Sequence, residues 1–375
     1  RPQILAIGPL LPLIRDDLGL PAGVAGLLTT IPVLCMGIFA PFGPRLAARL
    51  GPRASLAVCL AVIAGGGVLR AAAPDVATVL VATLAVGIGI GLAGAIPAIV
   101  VAQRMPWAAV HGTSTYAAGI VSGSAVAAAI AVPLAVDGEW RISLAAISAA
   151  GFVSLVVWLL FLRPDATAPT LHPVAPRLAW RSGTGWLLAA LFGVQSILYY
   201  GIVSWLPNAL VERDWTPAAA GTLIALFNAI GLLTTLGVPL AARRFRSRRS
   251  QLLVSAAGAV VGTAGVAIAP DLAFGWIVIL GLALGAVFPL LLNLPVDIGD
   301  DPGHAGSVAA LMLLGGYILS STGPVALGIA RDLTGNFGAS LWLLVGIAVV
   351  LGLLSALLSP ARLRRGVRHA SAATG

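Results

Sequence analysis

The sequence is poor in charged residues and contains no lysine. Charged residues occupy 9% of its 375 positions, whereas a soluble domain carries about 25%. Apolar residues make up 59%, and the mean hydropathy is +1.02. Apolar runs of about 18 residues or more recur along the whole chain, and each run predicts a membrane-spanning helix. The composition therefore excludes a soluble domain and predicts an all-α membrane protein.

Cysteine is scarce as well. Cys35 and Cys59 both lie inside apolar segments, so we expect buried core residues rather than a disulfide. No residue pattern resembles a nucleophile triad, a metal cluster or a nucleotide site, so we expect neither an enzyme nor a bound cofactor or metal. One glycine-rich stretch lies inside an apolar span with no strand before it, and it predicts close helix packing instead of a phosphate loop. This stretch contains Gly87, Gly89, Gly91 and Gly94.

Twelve apolar segments are expected to be membrane spans. They cover residues 1–14, 22–47, 55–73, 76–102, 108–136, 142–162, 185–211, 218–242, 251–268, 273–296, 305–329 and 339–358. The first is too short to cross about 30 Å at about 1.5 Å per residue. We therefore expect the sequence to begin inside a helix whose first half precedes residue 1.

The longest break between spans divides the chain into two sets of six. We expect a first six-helix bundle at 1–163, a linker at 164–184, and a second bundle with a basic tail at 185–375. The two halves carry a repeat, because three residues at the end of the first helix match three at the end of the seventh at one offset of 198. The pairs are Pro9 and Pro207, Arg15 and Arg213, and Asp16 and Asp214. Two pseudo-symmetric bundles predict a transporter with a substrate site near the midplane.

The arginines divide unevenly between alternate loops. The net charge of +9 could indicate binding to nucleic acid. The arginines cluster in short loops between spans, however, and the distribution expected of a membrane protein explains them better. Sixteen of the 22 fall in one set of loops and the C-terminal tail, and five fall in the other set: Arg15, Arg70, Arg141, Arg213 and Arg331. Since cytoplasmic loops are rich in arginine, we expect a multi-pass protein of the inner (cytoplasmic) membrane. Both termini would be cytoplasmic, the lipid bilayer would surround the helices, and no nucleic acid would bind.

The loop after the second span resembles the loop signature of the major facilitator superfamily. It reads PRLAARLGPR from Pro44 to Arg53. The resemblance implies the major facilitator fold, in two halves that rock about a central site, and a monomer. The sequence departs from the signature at Ala48, where an aspartate is usual. This departure weakens the case for the usual charge lock between the halves.

Three further stretches resemble the cyanate and 2-nitroimidazole transporter family. They are Arg1-Pro2 with GPLLPLIRDDLGL from Gly8, FGVQSILYY from Phe192 with Trp205-Leu-Pro207, and Gly316-Tyr317 with Gly323-Pro324 and DLTG from Asp332. The resemblance extends over essentially the whole chain. It implies a substrate that is a small anion or a small neutral compound.

Arg1 is the one charged residue expected deep in the membrane. It precedes Arg15, at the outer end of its helix, by fourteen residues, or about 21 Å. Every acidic residue and histidine lies at a helix end or in a loop, so no buried acid is available to pair with it. A guanidinium offers a rigid fork of donors that suits a small planar anion, so we expect Arg1 to bind substrate. The alternatives are bonds to helix carbonyls or snorkelling to the cytoplasmic interface.

A polar run, QSILYY from Gln195 to Tyr200, interrupts the apolar seventh span. At the repeat offset, Arg1 corresponds to Tyr199. Gln195 and Tyr199 share one helix face because they are four residues apart, and Ser196 and Tyr200 share the adjacent face. We expect Gln195, Tyr199 and Tyr200 to bind substrate, although hydrogen bonds between helices would also explain such a run.

Other polar or ring-bearing residues are assigned by position. Asn228 and Tyr317 lie at mid-depth and are expected at the substrate site, whereas Ser122 and Ser124 lie among glycines and predict packing. Tyr116 is either a gate or an interfacial tyrosine, and Trp205 either caps the site or anchors the outer interface. The residues expected to take part in gating or conformational change are Tyr116, Trp205, Pro97, Pro289 and Arg49.

The leading interpretation is a secondary or facilitative transporter of a small anionic or polar molecule. The alternative with the same fold is a proton-driven exporter, which predicts an acid in the part of the first helix before Arg1. A membrane receptor is a third hypothesis. A receptor would usually need a signalling domain or a partner-binding tail, and neither is visible in this sequence. The sequence leaves uniport, exchange and proton entry with the substrate open.

Overall fold

The computed structural model describes residues 1–104, 109–162, 178–241, 247–298 and 302–358, and these residues are almost entirely helical. Fifteen α-helices are named here in chain order. They are α1 Pro2–Leu5, α2 Ile7–Leu18, α3 Ala22–Ala25, α4 Leu27–Phe39, α5 Gly43–Ala71, α6 Val76–Ala93, α7 Ile96–Arg104, α8 Ala109–Ala131, α9 Trp140–Phe161, α10 Gly183–Val211, α11 Pro217–Ala241, α12 Arg248–Ile268, α13 Ala273–Ile298, α14 Pro302–Thr334 and α15 Gly338–Ala356. Most of the expected linker and the basic tail lie outside the described residues.

Nine helical segments of the described chain are long and apolar enough to cross a membrane. One of them, Ala22–Ala71, contains both the second and the third expected spans. Gly51 divides it, since its φ of 78° departs from helical geometry. The fifth expected span corresponds to a shorter apolar helix, Ala118–Ala131, and the first corresponds to α1 with α2. Each of the twelve expected spans therefore has a helical counterpart.

The first helix is broken in its middle. The break between α1 and α2 falls at Ala6, and α2 contains Pro12. Because proline has no amide hydrogen, the carbonyl of Gly8 lacks its helical donor. That carbonyl accepts a hydrogen bond from Asn208 Nδ2 at 3.4 Å instead. At its other end α2 stops at Gly19, whose φ of 60° closes the helix in the left-handed conformation.

Two compact units emerge from the contacts within the chain. Unit 1 comprises Arg1–Ala175 with Val203–Ala225, and unit 2 comprises Pro176–Ile202 with Leu226–Gly375. The C-terminal part of α10, from Val203, therefore belongs with unit 1 by its contacts, whereas the sequence predicts that the whole seventh span lies in the second bundle. The division at 164–184 remains a prediction about the repeat.

Close helix packing in unit 1 depends on the predicted glycines. A Cβ built on Gly87 would lie 2.9 Å from Pro32 Cα, and one on Gly89 would lie 2.7 Å from Ile63 Cγ1. Both cysteines are buried and neither forms a disulfide. The predictions of small-residue packing and of core cysteines are confirmed.

A polar cluster joins the end of α2, the start of α9 and the segment after α5 in unit 1. Asp17 Oδ2 pairs with Arg141 Nη1 at 2.7 Å and accepts a hydrogen bond from Trp140 Nε1 at 3.2 Å. Arg141 also lies over the Trp140 ring and donates to the carbonyl of Ala73. The hydrogen bond from Arg141 lowers the pKa of the Asp17 carboxyl. The cluster connects α2 and α9 with the segment that follows α5.

Candidate functional site

Buried charge in unit 1 is positive. Arg1 is half-buried at the start of α1, and the side chain of Arg70 is fully buried. By contrast, every acidic residue whose burial the structure describes is exposed. A charged side chain inside a membrane protein costs at least about 2.5–3.5 kcal/mol at the helix centre unless it faces a cavity or a partner. Within the described residues, the interior therefore favours negative charge.

Arg70 is the residue that the sequence placed wrongly. Its position close to the end of its span predicts an outer-loop arginine. In the structure Arg70 belongs to the last turn of α5 and points into the unit, with 0% of its surface exposed. Its Nη2 donates to the backbone oxygen of Gln3 at 2.8 Å and to Gln3 Oε1 at 2.7 Å. The guanidinium thus contacts the first helix instead of water.

Gln3 continues this contact into a chain of hydrogen bonds. Its Nε2 donates to Ser148 Oγ at 2.9 Å, and Ser148 Oγ donates to the carbonyl of Leu144 at 2.6 Å. Gln3 and Ser148 are both buried. The sequence offered one overlooked signal, which is a glutamine in an otherwise apolar helix two residues after Arg1.

In unit 2, Tyr199 and Asn228 are brought together as a pair. Tyr199 Oη donates to Asn228 Oδ1 at 2.7 Å, which joins α10 to α11. The Tyr199 ring is tilted against Phe227 with centroids 5.7 Å apart, and it meets Tyr200 edge-on at 5.2 Å. Asn228 and Tyr200 are buried, whereas Tyr199 is half-buried. The arrangement combines hydrogen-bonding groups with the faces of several rings.

We expect the Tyr199–Asn228 hydrogen bond to contribute measurable coupling energy. In a double-mutant cycle of Tyr199→Phe and Asn228→Ala, the coupling should be about 0.6 kcal/mol and below about 1.7 kcal/mol, the range of hydrogen bonds between membrane helices. Thermal unfolding of the four purified proteins in detergent measures it. Tyr317→Phe combined with Asn228→Ala is the control and should be additive. An additive Tyr199–Asn228 pair would contradict the assignment.

The remaining predicted binding residues lie elsewhere in unit 2. Gln195 is buried and its Oε1 accepts a hydrogen bond from the neighbouring Ser196 at 3.3 Å. Tyr317, on α14, packs edge-on against Phe192 with centroids 5.1 Å apart. Phe192 also contacts Phe288, so Tyr317 belongs to a second ring cluster. Roles for Gln195, Tyr200 and Tyr317 in binding remain predictions.

The predicted gating residues are spread over both units, and their roles also remain predictions. Tyr116 is half-buried in α8, and Arg49 is exposed in α5 just before Gly51. Pro97 follows the break between α6 and α7, whereas Pro289 lies inside the continuous α13. Trp205 is only 1% exposed, and this burial contradicts the alternative that it anchors the lipid interface.

Two polar residues in the C-terminal half of α10 form hydrogen bonds that the sequence does not predict. Ser204 Oγ donates to Thr29 Oγ1 at 3.0 Å, which joins α10 to α4. Asn208 Nδ2 donates to the carbonyls of Gly8 and Ser204. All of these residues belong to unit 1. Ser204 and Asn208 are visible in the sequence as polar residues in an apolar span, but their partners are about 175 to 200 positions away in the chain and cannot be read from spacing.

Comparison with curated proteins identifies relatives that match nearly the whole chain. The cyanate transport protein CynX of Escherichia coli (strain K12) is 30% identical over 339 residues, which are 90% of this chain and 88% of that protein. The 2-nitroimidazole transporter of the same organism is 29% identical over 353 residues, which are 93% of this chain and 89% of that protein.

Comparison with solved structures identifies the same architecture. The crystal structure of a D-xylose–proton symporter superposes with a TM-score of 0.77 at 17% sequence identity, over 96% of this chain and 94% of that one. This likeness establishes the twelve-helix fold alone. The family described as Major Facilitator Superfamily matches residues 4–324. The chain therefore belongs to the major facilitator superfamily and is a multi-pass membrane transporter of small molecules, not an enzyme.

Proposed function

We propose that this transporter carries a small anion, or a small planar polar molecule, by alternating access between two six-helix halves. The observation that carries the proposal is the sign of the buried charge. Arg70 is fully buried and Arg1 is half-buried, whereas the acidic residues of described burial are all exposed. An anion that enters such an interior gains from the positive charge and reduces the cost of burying it.

The chemistry of Arg1 narrows the proposed substrate. A guanidinium presents paired donors in one plane, which match the oxygen and nitrogen acceptors of a small planar anion. In unit 2, Tyr199 and Asn228 would orient the substrate through hydrogen bonds, and the Tyr199 ring would stack against a flat molecule. The similarity to a cyanate transport protein and a 2-nitroimidazole transporter supports both substrate classes.

Uptake of labelled cyanate into proteoliposomes tests the proposal, with 2-nitroimidazole and a panel of small carboxylates as competitors. We expect saturable uptake that at least one competitor inhibits. An imposed pH gradient, alkaline inside, should accelerate uptake if a proton enters with the substrate and should leave uniport unchanged. Wild-type protein that neither takes up cyanate nor binds any competitor would refute the proposal.

We also propose that the protein acts as a monomer in the inner membrane with both termini and the 164–184 linker in the cytoplasm. The arginine distribution supports this orientation. Single cysteines introduced at Asp137 and at Arg45, both exposed, test it in a variant that lacks Cys35 and Cys59. A membrane-impermeant maleimide should label intact cells at position 137 and leave position 45 unlabelled. The reverse pattern would invert the orientation.

A further inference from the structure

We propose that Arg70 is a positioning residue that holds the segment of the first helix before its break at Ala6 and thereby sets the position of Arg1. The inference rests on the proposed function insofar as Arg1 binds substrate. Its structural part concerns Arg70, Gln3 and Ser148 and is independent of the substrate.

The break at Ala6 explains why the first helix needs an external donor. Helix α1 ends at Leu5, and α2 begins only at Ile7. The carbonyl of Pro2 accepts from the Ala6 amide at 3.0 Å, whereas the carbonyl of Gln3 accepts from a side chain of another helix, which is one of the ways in which carbonyls at a helix end are satisfied. Arg70 Nη2 donates to the Gln3 backbone oxygen and to the Gln3 side-chain oxygen at once. The two bonds fix both the height and the rotation of α1.

The hydrogen bonds beyond Arg70 have one consistent direction. Since a guanidinium only donates, the Gln3 side-chain oxygen must face Arg70, and the Gln3 Nε2 group then faces Ser148. The Ser148 hydroxyl in turn donates a hydrogen bond to the Leu144 carbonyl. The chain therefore ties α1 to α5 on one side and to α9 on the other.

The helices are closely packed around these hydrogen bonds. Gly67 lies one turn before Arg70 on α5 and faces Gln3 and Ser148. A Cβ built on Gly67 would lie 2.5 Å from Gln3 Nε2 and would also overlap Ser148 Oγ. Arg70 Nε and Nη1 are buried with no hydrogen-bond partner among the described residues. Only one nitrogen of the guanidinium therefore bonds the described part of the chain. Since buried ionic groups often add little net stability compared with well-packed apolar residues, we assign Arg70 a positioning role.

Disulfide cross-linking in the full-length protein tests the position of α1 directly. In a background of Cys35→Ala and Cys59→Ala, the reporter pair is Pro2→Cys with Gly123→Cys, since a Cβ built on Gly123 lies 3.6 Å from Pro2 Cγ. We expect copper-phenanthroline to oxidise this pair at least 5-fold more slowly after Gly67→Ala. The control is Gly65→Ala, on the same helix with no atom within 4 Å of the added methyl, and it should leave the rate unchanged.

Arg70→Met supplies the second perturbation, with Arg45→Met as its control, because Arg45 is an exposed arginine of the same helix. We expect Arg70→Met to slow cross-linking and to raise the KM for cyanate about 10-fold with little change in Vmax. Arg70→Lys, which can still donate to Gln3, should restore most of both. If Arg70→Met does not fold, the double variant Arg70→Met with Gln3→Met is used in both measurements instead, because it removes both polar side chains.

The outcomes separate the inference from the proposed function. Unchanged cross-linking in folded Gly67→Ala and Arg70→Met proteins would overturn the positioning role, whatever the transport result. Slower cross-linking with an unchanged KM for cyanate would overturn the link from Arg70 to Arg1. A wild-type protein that transports no probe would refute the proposed function, and the cross-linking rates would still decide whether Arg70 positions α1.

Discussion

Replacing Arg1 with alanine is expected to raise the KM for cyanate uptake about 10- to 100-fold. A hydrogen bond to a charged group contributes about 1.5–3 kcal/mol, and about 1.4 kcal/mol corresponds to one factor of ten in binding. At a pH where 2-nitroimidazole is neutral, the loss should be larger for cyanate, because only the anion loses an electrostatic attraction together with its hydrogen bonds. Uptake by proteoliposomes as a function of substrate concentration measures both values.

Two matched variants make this result specific. Arg1→Lys keeps the positive charge and loses the planar fork of donors, so its KM should fall between wild type and Arg1→Ala. Arg213→Ala removes an equal charge from an exposed position at the end of the seventh span, and its KM should match wild type. If Arg1→Ala raised the KM for cyanate and the KM for 2-nitroimidazole by the same factor, Arg1 would have a structural role and would not bind the anion.

The helices and their packing could be read from the sequence because local patterns determine them. Long apolar runs identified every span, and the glycines at Gly87 and Gly89 indicated close packing that the structure confirms. Both signals depend on residues within one or two helical turns of each other. They require no knowledge of which helix lies next to which.

The burial of Arg70 could not be read in the same way. Arg70 lies three residues before the end of its expected span, where an arginine normally reaches the interface. Its partner Gln3 is 67 positions away in the chain. Whether an arginine near a helix end turns outward or inward depends on a neighbour that local spacing does not identify. The glycine one turn earlier, Gly67, marks the close approach only once the neighbour is known.

The polar run of the seventh span was partly interpretable for the same reason. Its residues were expected to serve either substrate or neighbouring helices. In the structure, polar side chains along α10 bond to different elements: Tyr199 to Asn228 on α11, and Ser204 to Thr29 on α4. Helix contacts thus account for part of the run. Substrate binding by the helix face that Gln195 and Tyr199 share remains a prediction.

Gly8→Ala is expected to destabilise the protein by about 1–3 kcal/mol, the usual cost of adding a group to a tightly packed site. A Cβ at Gly8 would overlap the carbonyl oxygen of Val203 and would lie 3.4 Å from Ser204 Cα. Both neighbours are backbone atoms, so no side-chain rotation relieves the overlap and α2 must move away from α10. The melting temperature in detergent should fall by several degrees.

A second readout distinguishes local separation of these helices from general loss of structure. Thr29→Cys with Ser204→Cys, whose native side chains are hydrogen-bonded at 3.0 Å, should form a disulfide readily in the cysteine-free protein and slowly after Gly8→Ala. Gly346→Ala on α15 is the control, because nothing lies within 4 Å of its added methyl. Alanine there should leave cross-linking unchanged and stabilise the helix by up to about 1 kcal/mol. Gly8→Ala and Gly346→Ala could instead give the same melting temperature and the same cross-linking rate. The backbones of α2 and α10 would then have to lie farther apart than in the structure, and the hydrogen bond from Asn208 to the Gly8 carbonyl would not form.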